Sequence, residues 1–174
     1  MATTSASLSV FVGKDFACIK IAGRANFACS PDFKTLLNEL AQKGYGHFII
    51  DLTECVLMDS TFLGVLAGFG IKLNPQGAPA EKGIELVNTT ARVSELLENL
   101  GTIHLFKLTN SPVKLPEDVQ ASTPESIQPS HEQITRTSLE AHETLMSMNP
   151  ENVARFKDVA QFLAEDLKNV EKSS

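Results

Sequence analysis

The stretch from Ser60 to Ile71, STFLGVLAGFGI, carries no charged residue and lies between Asp59 and Lys72. Read as a helix, it places Phe62, Val65, Leu66, Phe69 and Leu73 on one side. Leu63, Ala67, Gly70 and Ile71 fall on another. A helix apolar all round is buried on more than one face. One face therefore packs on a sheet, and the other needs a cover from the same chain or from a partner. Gly64 and Gly68, four residues apart, allow a neighbouring backbone to approach closely.

Asp59, Ser60 and Thr61 are residue types that cap helix N-termini. Just before them, His47-Phe48-Ile49-Ile50-Asp51 reads as a short central strand, followed by a turn. A hydroxyl thus stands at the start of an apolar helix just beyond a strand. Helix N-termini hold unpaired backbone N–H groups and partial positive charge, which stabilise a phosphate. Ser60 reads either as an acceptor for a phosphoryl group or simply as a cap.

The other elements follow from pattern. Leu8 to Val12 and Phe16 to Ile21 alternate, with Gly13-Lys14-Asp15 as a tight turn between them, which predicts a β-hairpin. Ser30-Pro31-Asp32 reads as a helix start, with Phe33, Leu36, Leu37 and Leu40 as its buried stripe. Asn74-Pro75-Gln76-Gly77 ends the apolar helix. Gly83 to Val87 is a strand, Asn88-Thr89 caps a helix with the stripe Val93, Leu96, Leu97 and Leu100, and Ile103 to Leu108 is a last strand. Strands alternating with helices predict an α/β domain with a mixed sheet.

These residues also carry a family resemblance. Asp51-Leu52, Val56, Leu57-Met58-Asp59-Ser60 and Leu63-Gly64-Val65-Leu66 resemble the STAS family, in its branch of bacterial anti-sigma factor antagonists. Ile84 to Asn88, Arg92 to Glu98, Leu100-Gly101 and Leu105-Phe106 are similar to that family's late strand, helix and strand. The resemblance covers roughly Ser7 to Leu108. It implies that Ser60 is the serine phosphorylated by an anti-sigma factor kinase. It also implies that the partner docks on the turn and the helix beyond it, through Asp51, Asp59, Ser60, Thr61 and Phe62. The family usually has glycine two places after the serine, where this chain has Phe62. The aromatic ring is accordingly expected at the partner-facing surface.

Beyond the domain, taken as residues 1–110, residues 111–130 contain Pro112, Pro116, Pro124 and Pro129 and read as a linker or loosely attached strap. Residues 131–174 read as a C-terminal helical extension. Ile134, Ala141, Leu145 and Met148 form one stripe. Asn149-Pro150-Glu151 starts a second helix with the stripe Val153, Phe156, Val159, Ala160, Leu163, Leu167 and Val170. An isolated helix of this kind is marginal, so it must dock. Phe156, Val159 and Leu163 are expected to dock it on its own domain or on a second copy of the chain.

Charge and composition exclude several functions. A net charge of −6 argues against nonspecific binding to nucleic acid or anionic membranes. Trp is absent and Tyr45 is the only tyrosine, so no platform for stacking bases is present. The N-terminal MATTSASLSVFVG has no basic or long apolar segment of the secretory kind, and no stretch has the length of a membrane span. Cys18, Cys29 and Cys55 form no CxxC pair and read as buried thiols in a reducing compartment, which points to the cytoplasm.

Catalytic readings are weaker. Ser60 lacks the glycines of a nucleophile elbow, and His47, His104, His131 and His142 sit in no recognisable motif. No His, Cys or Asp pair has metal-ligand spacing. Gly64, Gly68 and Gly70 lie within a helix and lack the lysine of a phosphate-binding loop. The expected protein is therefore a non-enzymatic, cofactor-free interaction module that binds an anti-sigma factor or related serine kinase until Ser60 is phosphorylated. The alternative is a non-switching STAS subunit of a membrane transport assembly.

Overall fold

The computed structural model describes residues 5–75, 83–110 and 120–172. Gln76 and Gly77 of the expected helix stop, and Pro112 and Pro116 of the expected linker, lie outside them. The expected hairpin is present: β1 (Ser7–Val12) pairs antiparallel with β2 (Ala17–Ala25), from Ser7 opposite Ala22 to Val12 opposite Ala17. The Gly13 N–H donates to the Phe16 carbonyl across the turn.

β2 is longer than its parallel neighbour β3 (His47–Asp51), which it meets only from Ala17 to Lys20. The free edge from Gly23 to Ala25 takes a short parallel strand, β4 (Cys55–Met58). The sequence pattern suggested only a turn here. A four-residue strand is too short to show a period, and the overhang of β2 is what recruits it.

β5 (Gly83–Val87) pairs parallel with β3, and β6 (Phe106–Thr109) pairs parallel with β5. Among the described residues the sheet has seven strands, with β7 (Gln120–Ser122) antiparallel to β1 at the far edge. The order is β6-β5-β3-β2-β1-β7, with β4 beside β2. Phe48, Ile50, Ile84, Leu86, Ile19 and Ile21 point into the core. Their alternating neighbours His47, Ile49, Lys20 and Glu85 are half-buried, as the two-residue strand period requires.

Of the helices, α1 (Ser30–Gln42) buries Phe33, Leu36, Leu37 and Leu40. Ser30 is its first residue and not its cap; the Ser30 hydroxyl donates back to the Asn26 carbonyl, 3.0 Å away. The apolar helix, α2 (Ser60–Leu73), packs on β3, where Phe69 meets Phe48 edge-on at 4.9 Å. α3 (Ala91–Asn99) is capped by Thr90, whose hydroxyl accepts from the Val93 N–H. Asn88, expected in that cap, instead takes a left-handed backbone (φ 57°). Ile103–Leu105 is a 3-10 turn, so the last predicted strand starts only at Phe106.

The C-terminal helices are α4 (His131–Met148), closed by a capping box between Ser130 and Gln133, and α5 (Pro150–Lys172). α4 supplies the second cover of α2 from within the chain. At Gly64 the two backbones lie close together: a Cβ at that position would stand 2.6 Å from the Ala141 Cβ and carbonyl oxygen. The described part of the expected linker is fastened as well. β7 adds to the sheet edge, and the Ser126 hydroxyl and Ile127 N–H donate to the Asp32 carboxylate.

Two expectations about apolar residues are corrected. Phe62 does not face outward: it is fully buried and stacks on Phe33, with ring centroids 4.2 Å apart and planes inclined by 15°. The ring fills the space between α1 and α2, and the hydrophobic effect holds it there. In α5 the inward line is Asn152, half-buried Phe156, Ala160, half-buried Leu163 and Leu167, at steps of three and four. Val153 and Val159 fall off that line and are exposed, as is Phe162.

Phe62→Ala is expected to lower stability by about 3–5 kcal/mol, the usual cost of emptying a buried aromatic site. Urea unfolding followed by circular dichroism measures it. A change below about 1 kcal/mol, the range of surface substitutions, would place the ring outside the core.

Candidate functional site

The site is the first turn of α2. Asp59 precedes it in extended backbone, and its two carboxylate oxygens serve two elements. Oδ1 accepts the Phe62 N–H at 2.8 Å and so caps α2. Oδ2 accepts the Phe27 N–H at 2.7 Å and so ties α2 to the 3-10 turn Phe27–Cys29 that leads into α1. The Asp59 N–H in turn donates to the Ala25 carbonyl at the end of β2. One residue therefore fixes the junction of β2, β4, α1 and α2. Burial pushes the Asp59 carboxyl above its ordinary pKa, against the downward pull of the bonds from Phe62 and Phe27.

Ser60 is half-buried, and Thr61 beside it is buried. The Ser60 Oγ lies 2.9 Å from Nε2 of His142 on α4. The other ring nitrogen, Nδ1, lies 2.7 Å from the Ser138 carbonyl oxygen. A carbonyl only accepts, so Nδ1 carries a proton, and in the neutral ring Nε2 accepts from the Ser60 hydroxyl. His142 is buried and its ring meets Phe156 of α5 at 4.9 Å. Sequence reasoning found His142 in no recognisable motif. Its place on the buried face with Ser138 and Leu145 is a helical spacing, but nothing in the sequence links it to Ser60, 82 residues away.

The structure separates Asp51 from this cluster. Asp51 pairs with Lys20 of β2, whereas Met58, just before Asp59, pairs with Ala25. That is roughly 16 Å along an extended strand. The Asp51 carboxylate instead accepts from the Thr53 N–H and hydroxyl in the turn after β3. Asp59, Ser60, Thr61 and Phe62 do share one helical turn, with Thr61 and Phe62 directed inward. Two apolar side chains that sequence reasoning did not assign to the site stand exposed on the supporting elements: Phe27, 53% exposed, and Val56, 58% exposed. Isolated apolar residues in such segments give no periodic signal.

A hydroxyl bonded to an oriented imidazole is half of a nucleophilic serine arrangement. Here the imidazole belongs to the helix that covers the hydroxyl. A cleft of about 190 Å³ between α1, α2 and α4 is lined by Lys34, Val65, Gly68, Lys72, Glu140 and Thr144, and does not include Ser60 or His142.

Comparison with known proteins identifies the fold. The STAS domain profile matches residues 9–115, more than half of the chain, and the chain belongs to the STAS family. A crystal structure of a candidate anti-sigma factor antagonist from Thermotoga maritima is similar at 19% identity and a TM-score of 0.52, over 59% of this chain and 85% of that one. A crystal structure of an anti-sigma factor antagonist from Mycobacterium paratuberculosis is similar at 16% identity and a TM-score of 0.51, over 60% and 86%. At such identities the likeness is one of fold. No curated protein matches the sequence. α4 and α5 lie beyond the family match. Among the described residues, no helix is long and apolar enough to cross a membrane.

Asp59→Asn is expected to destabilise the protein by about 1–3 kcal/mol, because the amide offers one acceptor oxygen where two backbone N–H groups need one each. Thermal unfolding of the two proteins measures it. Equal melting temperatures would contradict the double role given to Asp59.

Proposed function

We propose that the chain is a phosphorylation-switched interaction module of the anti-sigma factor antagonist kind. Unphosphorylated, it binds an anti-sigma factor or related serine kinase in the cytoplasm and frees that kinase's client. Phosphorylation of Ser60 ends the binding. The chain itself catalyses nothing, and ATP is the kinase's substrate.

The observation that carries this reading is the position of Ser60 as the first residue of α2, directly after the Asp59 cap of a STAS fold. Thr61 is buried, which favours Ser60 as the acceptor. Exposed Phe27 and Val56, on the elements that hold Asp59, supply apolar area for a docking partner. A phosphate on Ser60 adds about −1.5 to −2 charges at a helix N-terminus, where the dipole tolerates it. A docked partner is affected differently. It would bury a dianion beside Asp59, and like-charge contact with desolvation at an interface weakens binding by orders of magnitude. Asp51 stands too far along the sheet to add to that repulsion.

Ser60→Asp should fold normally and bind weakly, while Ser60→Ala should bind and resist release by ATP. Incubation with a purified anti-sigma factor kinase and Mg-ATP, followed by mass spectrometry, locates the phosphate. The expected site is Ser60. Phosphate on Thr61 alone, or none with a kinase shown to be active and bound, would overturn the switch and favour the non-switching structural subunit.

A further inference from the structure

In the folded chain the Ser60 hydroxyl is already engaged. It donates to Nε2 of His142 at 2.9 Å, and α4 lies against α2 at Gly64 and Ala141. Ser60 is half-buried and its hydroxyl is bonded to the helix that covers α2, so a partner docking on this turn competes with α4 for it.

Several features describe α4 and α5 as a separable arm. The buried face of α4 is Thr135, Thr137, Ser138, Ala141, His142 and Leu145, four of them polar besides the small Ala141. Such a face resembles a contact between domains more than a domain interior. The two helices are fastened to each other, by Arg136 with Glu171 at 2.8 Å and His131 with Asp166 at 2.8 Å, so they can move as a pair. A second clasp joins the arm to the domain. Asn152, fully buried, donates through Nδ2 to the Leu100 carbonyl at 2.9 Å and to the Leu145 carbonyl at 2.8 Å. Its Oδ1 is buried with no partner among the described residues. A clasp with an unsatisfied buried oxygen is weaker than one fully paired. The STAS match ends at residue 115, before α4 begins.

We propose that the α4–α5 pair is an internal competitor for the first turn of α2. Docked, it holds the Ser60 hydroxyl on His142 and excludes a protein partner from that turn. Lifted, it exposes Ser60 for docking and modification. The identity of the excluded partner rests on the reading of Ser60 given above; the masking itself does not. An arm closed about nine-tenths of the time lowers apparent affinity and reactivity at Ser60 about tenfold.

The test uses the full chain with Ser60→Cys as reporter and N-ethylmaleimide as probe. Cys18, Cys29 and Cys55 are buried, and burial raises all three thiol pKa values, that of Cys18 to about 11, so their background labelling is slow. Two further substitutions, made separately, displace α4. Gly64→Ala puts a Cβ into Ala141 from the α2 side, and Ala141→Leu overfills the same contact from the α4 side. Each is expected to raise the labelling rate at position 60 about tenfold or more, with the sheet retained by circular dichroism. Unchanged rates in both would overturn the proposal. So would loss of the sheet in both, since α4 would then belong to the core and not to a movable arm. Maleimide needs no partner, so a masked thiol in a chain whose Ser60 no kinase modifies would sink the proposed function and leave the masking standing.

Discussion

An α-helix without a charged residue over its first three turns cannot rest on a sheet alone. α2 meets that constraint by burial on both sides, with β3 beneath it and α4 above. Gly64 makes the second contact possible, because any side chain there would strike Ala141. The C-terminal extension is thus held by the same apolar surface that anchors the domain. Its position over Ser60 follows directly, since the serine begins the helix that the extension covers.

Asp59 is the local counterpart of that arrangement. Its two oxygens join the start of α2 to the turn before α1, and its N–H closes onto β2. Replacing it therefore alters the placement of Ser60 as well as the helix cap. Phe62 and Phe33, stacked behind the site, make the first turn of α2 a rigid support. A rigid serine at a helix N-terminus suits a charge switch, because added charge changes what can dock there without requiring the turn to move.

Much of this was legible in the sequence, and the failures have physical causes. The hairpin, β3, β5 and the cores of α1 and α3 follow from period and turn chemistry. So does the need for a second cover on α2, because an uncharged helix declares it. The identity of the cover was not legible. The inward face of α4 sets Thr135, Thr137, Ser138 and His142 beside Ala141 and Leu145 of the expected stripe, so the apolar pattern alone does not name its partner, and His142 meets Ser60 only through tertiary folding. Phe62 was placed with the partner-binding residues because it lies in the turn on which the family's partners dock, whereas its ring is buried. Pairing with Phe33 is a long-range contact that neither helix announces. β4 was missed because its partner is the overhang of β2, which only the register with β3 reveals. In α5 a continuous run of apolar residues concealed which line faces inward, and the structure chose the one passing through Asn152 and Ala160.

The account rests on α4 and α5 being a cover that lifts from the sheet and the remaining helices as a unit. Native-state amide hydrogen exchange of the full chain measures this most directly, because units that open separately exchange with separate free energies. The expected result is that α4 and α5 open together, at lower free energy than β2, β3 and β5. Equal protection of α4 and β3, lost in one global unfolding event, would contradict the account.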